Sequence, residues 1–91
     1  MFGIVGKRWT LPILAAVMHG STRFSEIARA VPGLSERVMS ERLQELCEAG
    51  LVERQVEPGP PLGTRYLLTA RGECLRPPVE SLLEAAATLP E

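Results

Sequence analysis

Residues 32–54 read PGLSERVMSERLQELCEAGLVER, and this stretch decides the fold. Pro32-Gly33 turns the chain sharply. Ser35 then suits an N-cap, where its hydroxyl accepts from a first-turn amide. Leu34 before the cap and Met39 four residues beyond it match a hydrophobic staple that sets the approach angle. Met39, Leu43, Leu46 and Cys47 recur at three- and four-residue spacing and form an inward stripe. Gly50 stands where a helix ends in a left-handed residue, with Leu51 placed to close the cap. The stretch is therefore a helix with a defined start, face and stop. It is also acidic, with five glutamates against three arginines.

The flanking segments supply its partners. Upstream, a helix is expected from residue 7 or 10 to residue 19, carrying Leu11, Ile13, Leu14, Val17 and Met18. Pro12 is tolerable there only in the first turn. Ser21 and Thr22 offer capping oxygens to a second, short helix, whose Phe24, Ile27, Ala28 and Val31 make one apolar face. Downstream, residues 51–56 and 64–68 have strand character, with Tyr66 and Leu68 on a shared face. The three prolines between Glu57 and Gly63 cannot pair in a ladder, so that segment is an exposed loop. Thr69 caps a last helix, which Pro77-Pro78 interrupts with a kink or restart. Val79, Leu82, Leu83 and Ala86 follow as a second apolar stripe.

This order predicts an α+β, mainly helical chain: a winged helix-turn-helix with a two- or three-stranded antiparallel sheet. One domain fills residues 1–91. Its helix-turn-helix lies at about 22–49, its wing at about 51–69 and its C-terminal helix at about 70–88.

Composition narrows the function. Hydrophobic residues at 45% and charged residues at 23% describe a folded chain. A chain of this size buries only about 60–65% of its unfolded surface, so the core is thin and oligomerisation would relieve it. The longest apolar run, 11–18, contains Pro12 and falls short of the roughly 18 residues that span a bilayer. The opening MFGIVG is too short and uncharged for a signal peptide. A soluble, cytoplasmic protein with no membrane partner is expected. Two cysteines without CxxC spacing and one histidine without a neighbouring ligand give no metal site, disulfide framework or catalytic pair. No cofactor and no enzymatic activity are expected.

The net charge of −1 hides a division. Residues 1–42 carry six basic against three acidic side chains, residues 43–64 one against four, and the remainder three against four. Where cations sit matters more to nucleic-acid binding than their total, and a neutral total argues against indiscriminate coating of DNA.

In order along the chain stand GKRWTLPIL, RFSEIARAVPGLSERVMSERLQELCEAGLVER, PP and RYLLTARGE. Together they closely resemble the HxlR-type family of bacterial transcription regulators, from about residue 3 to residue 86. The W-T-L-x-I-L opening, the R-F-S-E-I of the second helix and the later L-T-x-x-G make the resemblance specific. It implies a dimeric winged helix-turn-helix that binds operator DNA, commonly a palindrome, and catalyses nothing. Terminal helices build the dimer in that family, so Val79, Leu82, Leu83 and Ala86 become the implied homodimer interface.

Two departures stand out. The family carries a longer segment before G-K/R-W, often with a cysteine, so an N-terminal dimerisation helix is expected to be shortened or absent here. The wing reads Pro-Leu-Gly-Thr-Arg-Tyr where a valine and an acidic residue more often precede the tyrosine. Different contacts to DNA are expected from it.

With Leu43 centred on the buried face, 100° steps turn Arg37, Val38, Glu41, Gln44 and Glu45 outward and set Ser40 and Arg42 on opposite flanks. Arg37 could take a guanine edge, Glu41 a cytosine amino group and Val38 a thymine methyl. Ser35, Ser40 and Arg42 could meet phosphates, as could Arg23 at the second helix and Thr64 and Arg65 on the wing. Plainer readings stand beside these. Arg37 and Glu41 could be a surface i,i+4 pair, and Arg23 and Arg65 ordinary surface arginines. Glu45 and Glu48 are read as a solvated face, and Trp9 as core rather than an effector pocket. Cys47 lies on the buried stripe, where thiols are usually inert. Cys74, near Arg71 and Arg76, is the candidate redox thiol.

Two functions remain. One is a sequence-specific DNA-binding regulator, acting as a homodimer on double-stranded operator DNA, with no effector legible. The other is a winged-helix protein-interaction module that no longer binds DNA, favoured by the acidity of residues 43–64 and the short N-terminus.

Overall fold

Trp9 opens the first helix from a left-handed backbone position, φ 76°, in the computed structural model, which describes residues 7–60 and 62–88. The opening MFGIVG lies outside the described residues. Helix α1 (Thr10–Met18) places Pro12 in its first turn, where the missing N–H breaks no hydrogen bond. Ile13 and Leu14 on α1 are fully out of water. Ile27 from α2 (Phe24–Ala30) and Met39, Leu43 and Leu46 from α3 (Glu36–Glu48) close over them. Leu51 and Val52 complete the core from the start of the sheet. No helix among the described residues is long and apolar enough to cross a membrane.

The second helix starts differently from expectation. Neither Ser21 nor Thr22 caps it with a hydroxyl. Arg23 holds the N-cap position, and the Glu26 carboxylate accepts from the backbone N–H groups of Thr22 and Arg23, both at 3.0 Å. This is half of a capping box, because an arginine side chain has no acceptor with which to return the bond.

Helix α3 follows its expected design. Ser35 Oγ accepts from the Val38 amide at 3.2 Å. At the other end Leu51 N donates to Leu46 O and Gly50 N to Cys47 O, both at 3.0 Å, with Gly50 at φ +75°. These two bonds form a Schellman cap. Cys47 departs from the inward stripe, being half-buried at the helix edge.

Strands β1 (Val52–Glu57) and β2 (Gly63–Leu68) pair antiparallel, from Val52 opposite Leu68 to Glu57 opposite Gly63. Alternation puts Val52, Arg54 and Val56 on one face with Leu68, Tyr66 and Thr64. Glu53, Gln55, Glu57, Leu67, Arg65 and Gly63 share the other. The sheet has two strands; the place of a third is taken by one bond, from Tyr66 N to Thr22 O at 2.7 Å.

Thr69 ties the sheet's end to the end of α3. Its hydroxyl donates to Gly50 O at 2.6 Å and accepts from Gly72 N at 2.9 Å, while its amide donates to Leu51 O at 3.1 Å. The short α4 (Ala70–Glu73) thus presses against the Gly50–Leu51 turn. A Cβ on Gly72 would lie 2.2 Å from Leu51 O and 2.7 Å from Leu68 Cδ1. The chain then breaks at Cys74-Leu75, ahead of the prolines. Helix α5 (Arg76–Thr88) restarts with Pro77 and Pro78 in its first turn, so they begin a helix rather than kink one.

Gly72→Ala should therefore destabilise the fold by about 1–3 kcal/mol, despite alanine's better helix propensity. A urea midpoint that rises instead would show that the close approach relaxes. Glu26 gives a pH-dependent prediction. The backbone N–H groups of Thr22 and Arg23 hold its carboxyl below the ordinary 4.5. A depressed folded pKa contributes stability above the unfolded value, and that stability disappears as pH falls through the folded value. Glu26→Gln should lower stability at neutral pH and flatten its loss on acidification below 4.5, read by thermal melts across pH.

Candidate nucleic-acid interface

The recognition-helix candidate is exposed where the sequence requires it. Gly33, at φ +87°, lets the chain turn into α3, and the first two turns present Arg37 and Glu41 to solvent, with Val38 half-buried between them. Arg37 forms no ion pair among the described residues. The surface pair with Glu41 is not made; the Glu41 carboxylate lies instead 3.9 Å from Arg42. Ser35 is exposed, but its hydroxyl already caps the helix. Ser40 is exposed on the flank toward the sheet.

Arg42 proves less available. Its side chain is only 17% exposed and pairs with Glu45, and its buried Nε has no partner. Glu45 also binds Lys7, so it is an intramolecular anchor rather than a solvated face. The Lys7 ammonium first, and the Arg42 guanidinium second, hold its carboxyl below the ordinary value. Glu48 is exposed, as expected.

Arg23 is likewise engaged, 2.6 Å from Glu57 at the base of the wing. Arg65 on β2 is half-buried, with its Nε unpartnered, and Thr64 precedes it opposite Val56. Among the described residues Arg29, Arg37, Arg54, Arg65 and Arg71 make no ion pair, while Arg8 stacks 5.2 Å from the Trp9 ring centroid. Trp9 itself packs against the core, as expected.

Periodicity could not have found Lys7–Glu45 or Arg23–Glu57, whose partners lie more than thirty residues apart. Nor did it mark Arg54, which lines an open cleft of about 570 Å³ between α3 and the sheet with Ser40, Gln44, Cys47 and Tyr66. Burial pushes the Cys47 thiol up, against a weaker opposite pull from Arg54. A thiol pushed up in this way is mostly protonated near neutral pH and a poor nucleophile. Cys74 is exposed and directs its thiol to Ala70 O at 3.6 Å, while Arg76 is engaged by Glu73 and by Met18 O at 2.9 Å.

The apolar stripe of α5 divides. Val79 is buried within the protomer, whereas Leu82, Leu83 and Ala86 are exposed. Leu82 borders an apolar hollow of about 150 Å³ with Leu11, Leu75, Pro78 and Val79. The start of α5 is pinned to the end of α1 by Arg76 and by His19, 2.8 Å from Glu80.

The family described as HxlR-like helix-turn-helix matches residues 4–89. YvaP of Bacillus subtilis (strain 168), named an uncharacterized HTH-type transcriptional regulator, is 49% identical over 74 residues, 81% of this chain and 68% of YvaP. YodB of the same organism, named an HTH-type transcriptional regulator, is 41% identical over 75 residues, 82% of this chain and 67% of YodB. The chain thus spans about two thirds of the length of these relatives. The solved structure of reduced YodB superposes with a TM-score of 0.82 at 37% identity, covering 99% of this chain and 88% of that one. A structure from Thermoplasma volcanium, described as a possible HxlR family transcriptional factor, gives 0.82 at 34% identity, covering 94% and 77%. The helix-turn-helix, the two-stranded wing and the match across both agree, and the chain belongs to the HxlR-like helix-turn-helix family of transcriptional regulators.

Proposed function

We propose that this chain is a sequence-specific DNA-binding regulator, acting as a homodimer on a palindromic operator. The observation that carries the reading is Arg37, an exposed and uncommitted guanidinium in the first turn of a helix whose approach angle is fixed at both ends. A major groove about 12 Å wide admits such a helix. Arg37 then takes a guanine edge, Glu41 a cytosine amino group and Val38 a thymine methyl. Ser35, Ser40 and the wing residues Thr64 and Arg65 hold the phosphate backbone, with Arg23 beside them. Arg42, paired and mostly buried, contributes chiefly by orienting Glu45 and Lys7.

Dimerisation draws support from α5. Its residues 81–88 are all exposed, including Leu82, 52% exposed, and Leu83, 38% exposed. A helix of 13 residues is marginal in water without cover. A second copy would supply that cover and place two recognition helices about 34 Å apart, on half-sites about 10 bp apart.

The interaction-module reading is favoured by one observation: Lys7, Arg23 and Arg42 are already neutralised by the chain's own glutamates. Selecting bound sites from random duplexes separates the two. A palindromic site, bound by a dimer more weakly as salt rises, is the expected result. Arg37→Ala should then cost about 1–3 kcal/mol and relax preference at one base position per half-site. Absence of binding at about 50 mM salt by a confirmed dimer would favour the module. Separately, the double change Leu82→Glu and Leu83→Glu should give a monomer by light scattering that keeps its helical signal. An unaltered dimer would remove α5 from the interface.

A further inference from the structure

Arg23, a candidate for a phosphate contact, is already paired with a carboxylate of its own chain. Glu57 is the last residue of β1, at the root of the wing, and its Oε1 lies 2.6 Å from Arg23 Nη2. Arg23 is not free to choose another position at its backbone. Glu26 accepts its amide, and the adjoining Thr22 carbonyl accepts from Tyr66 N on β2. The pair lies directly over Gly63, where a Cβ would come within 2.9 Å of Arg23 Nη1 and 3.1 Å of Glu57 Oε1. The register sets Arg65 on that same sheet face, two residues from Gly63, and its buried Nε lacks a partner. Arg23 is thus paired with Glu57 at the wing root, while Arg65 shares that sheet face without an ion pair.

We propose that Glu57 is a positioning residue that acts as an internal competitor: it holds Arg23 at the wing root in place of a DNA phosphate and thereby lowers the chain's affinity for DNA. The inference rests on the DNA-binding reading above. Both partners are accessible, at 45% and 38% side-chain exposure, so the pair can exchange without unfolding anything. Exposed ion pairs contribute little, whereas duplex DNA carries one phosphate per about 1.7 Å of axis. A phosphate can therefore displace the carboxylate at small cost. A purely structural salt bridge would have the opposite signature, because removing it would loosen the wing and weaken binding.

The test is a fluorescence-anisotropy titration of the dimer on the selected operator and on a random duplex, across salt. Glu57→Gln should tighten binding by about two- to fivefold on both duplexes, the worth of the exposed pair that binding no longer breaks. The log–log salt slope should change little, because Arg23 meets the same phosphate in either protein. Gly63→Ala, which separates the pair sterically without changing charge, should tighten binding in the same direction. It carries the test if Glu57→Gln fails to fold. Adding Arg23→Ala to Glu57→Gln should abolish the gain. Glu84→Gln, the same charge change on the far helix, should give less than Glu57→Gln. Unchanged or weaker binding by Glu57→Gln and Gly63→Ala overturns the competitor, as does an equal gain from Glu84→Gln. A wild-type protein and variants that bind no DNA at about 50 mM salt would overturn the regulator reading and this one together. Wild-type binding that the variants leave unaltered overturns this one alone.

Discussion

The join between α3, the sheet and the C-terminal helices depends on one contact, the clasp of Thr69 and Gly72 on the Gly50–Leu51 turn. The end of α3 must reverse into β1 within two residues, and a Schellman cap achieves that with Gly50 in a left-handed conformation. The reversal leaves the Gly50 and Leu51 carbonyls needing donors in a half-buried place. Thr69 supplies both, one from its hydroxyl and one from its amide. Gly72 then lets α4 come close enough for Thr69 to cap it. One threonine and one glycine, three residues apart, therefore join α3, the wing and the C-terminal helices into one body. This is a physical account of the L-T-x-x-G motif. Threonine is required for a donor and an acceptor at once, glycine for an approach that a methyl would block.

The acidity of residues 32–54 acquires a meaning once the pairs are known. Glu45 gathers Lys7 and Arg42, and Glu41 leans toward Arg42 rather than Arg37. These contacts fix the outer flank of α3 while leaving the guanidinium of Arg37 uncommitted. A chain with a net charge of −1 cannot rely on a broad positive field. It can still present a small number of unpaired cations at chosen places, which suits selective binding better than coating.

The fold was legible because it is written in local chemistry. Ser35, Gly50 and Thr69 each act on amides or carbonyls within a few residues, or at a turn that the sequence already marks. The second helix was misread at its cap for an instructive reason. Hydroxyls at Ser21 and Thr22 fit the usual pattern, but Glu26 reaches back and takes the amides of Thr22 and Arg23. The Thr22 hydroxyl donates to that same carboxylate at 3.4 Å rather than accepting from a helix amide. The candidate site was only partly legible. Helical steps showed that Arg37 faces outward and Arg42 lies on a flank. They could not show that Arg42 is engaged by Glu45, or Arg23 by Glu57, because those pairings depend on how the sheet and α1 fold back. The hydrophobic stripe of α5 was legible only in part, since periodicity cannot distinguish the buried Val79 from the exposed Leu82.

The clasp has a further geometric consequence, because α5 begins only a few residues after it. Thr69 fixes α4 against the end of α3, and Arg76 and His19 fix the start of α5 against the end of α1. The path from recognition helix to C-terminal helix therefore contains no free hinge longer than Cys74-Leu75, which sits between two anchored turns. If two copies meet along α5, the separation of their recognition helices is set by this short, bonded path rather than by a flexible linker. Half-site spacing then becomes a property of the protomer's own packing.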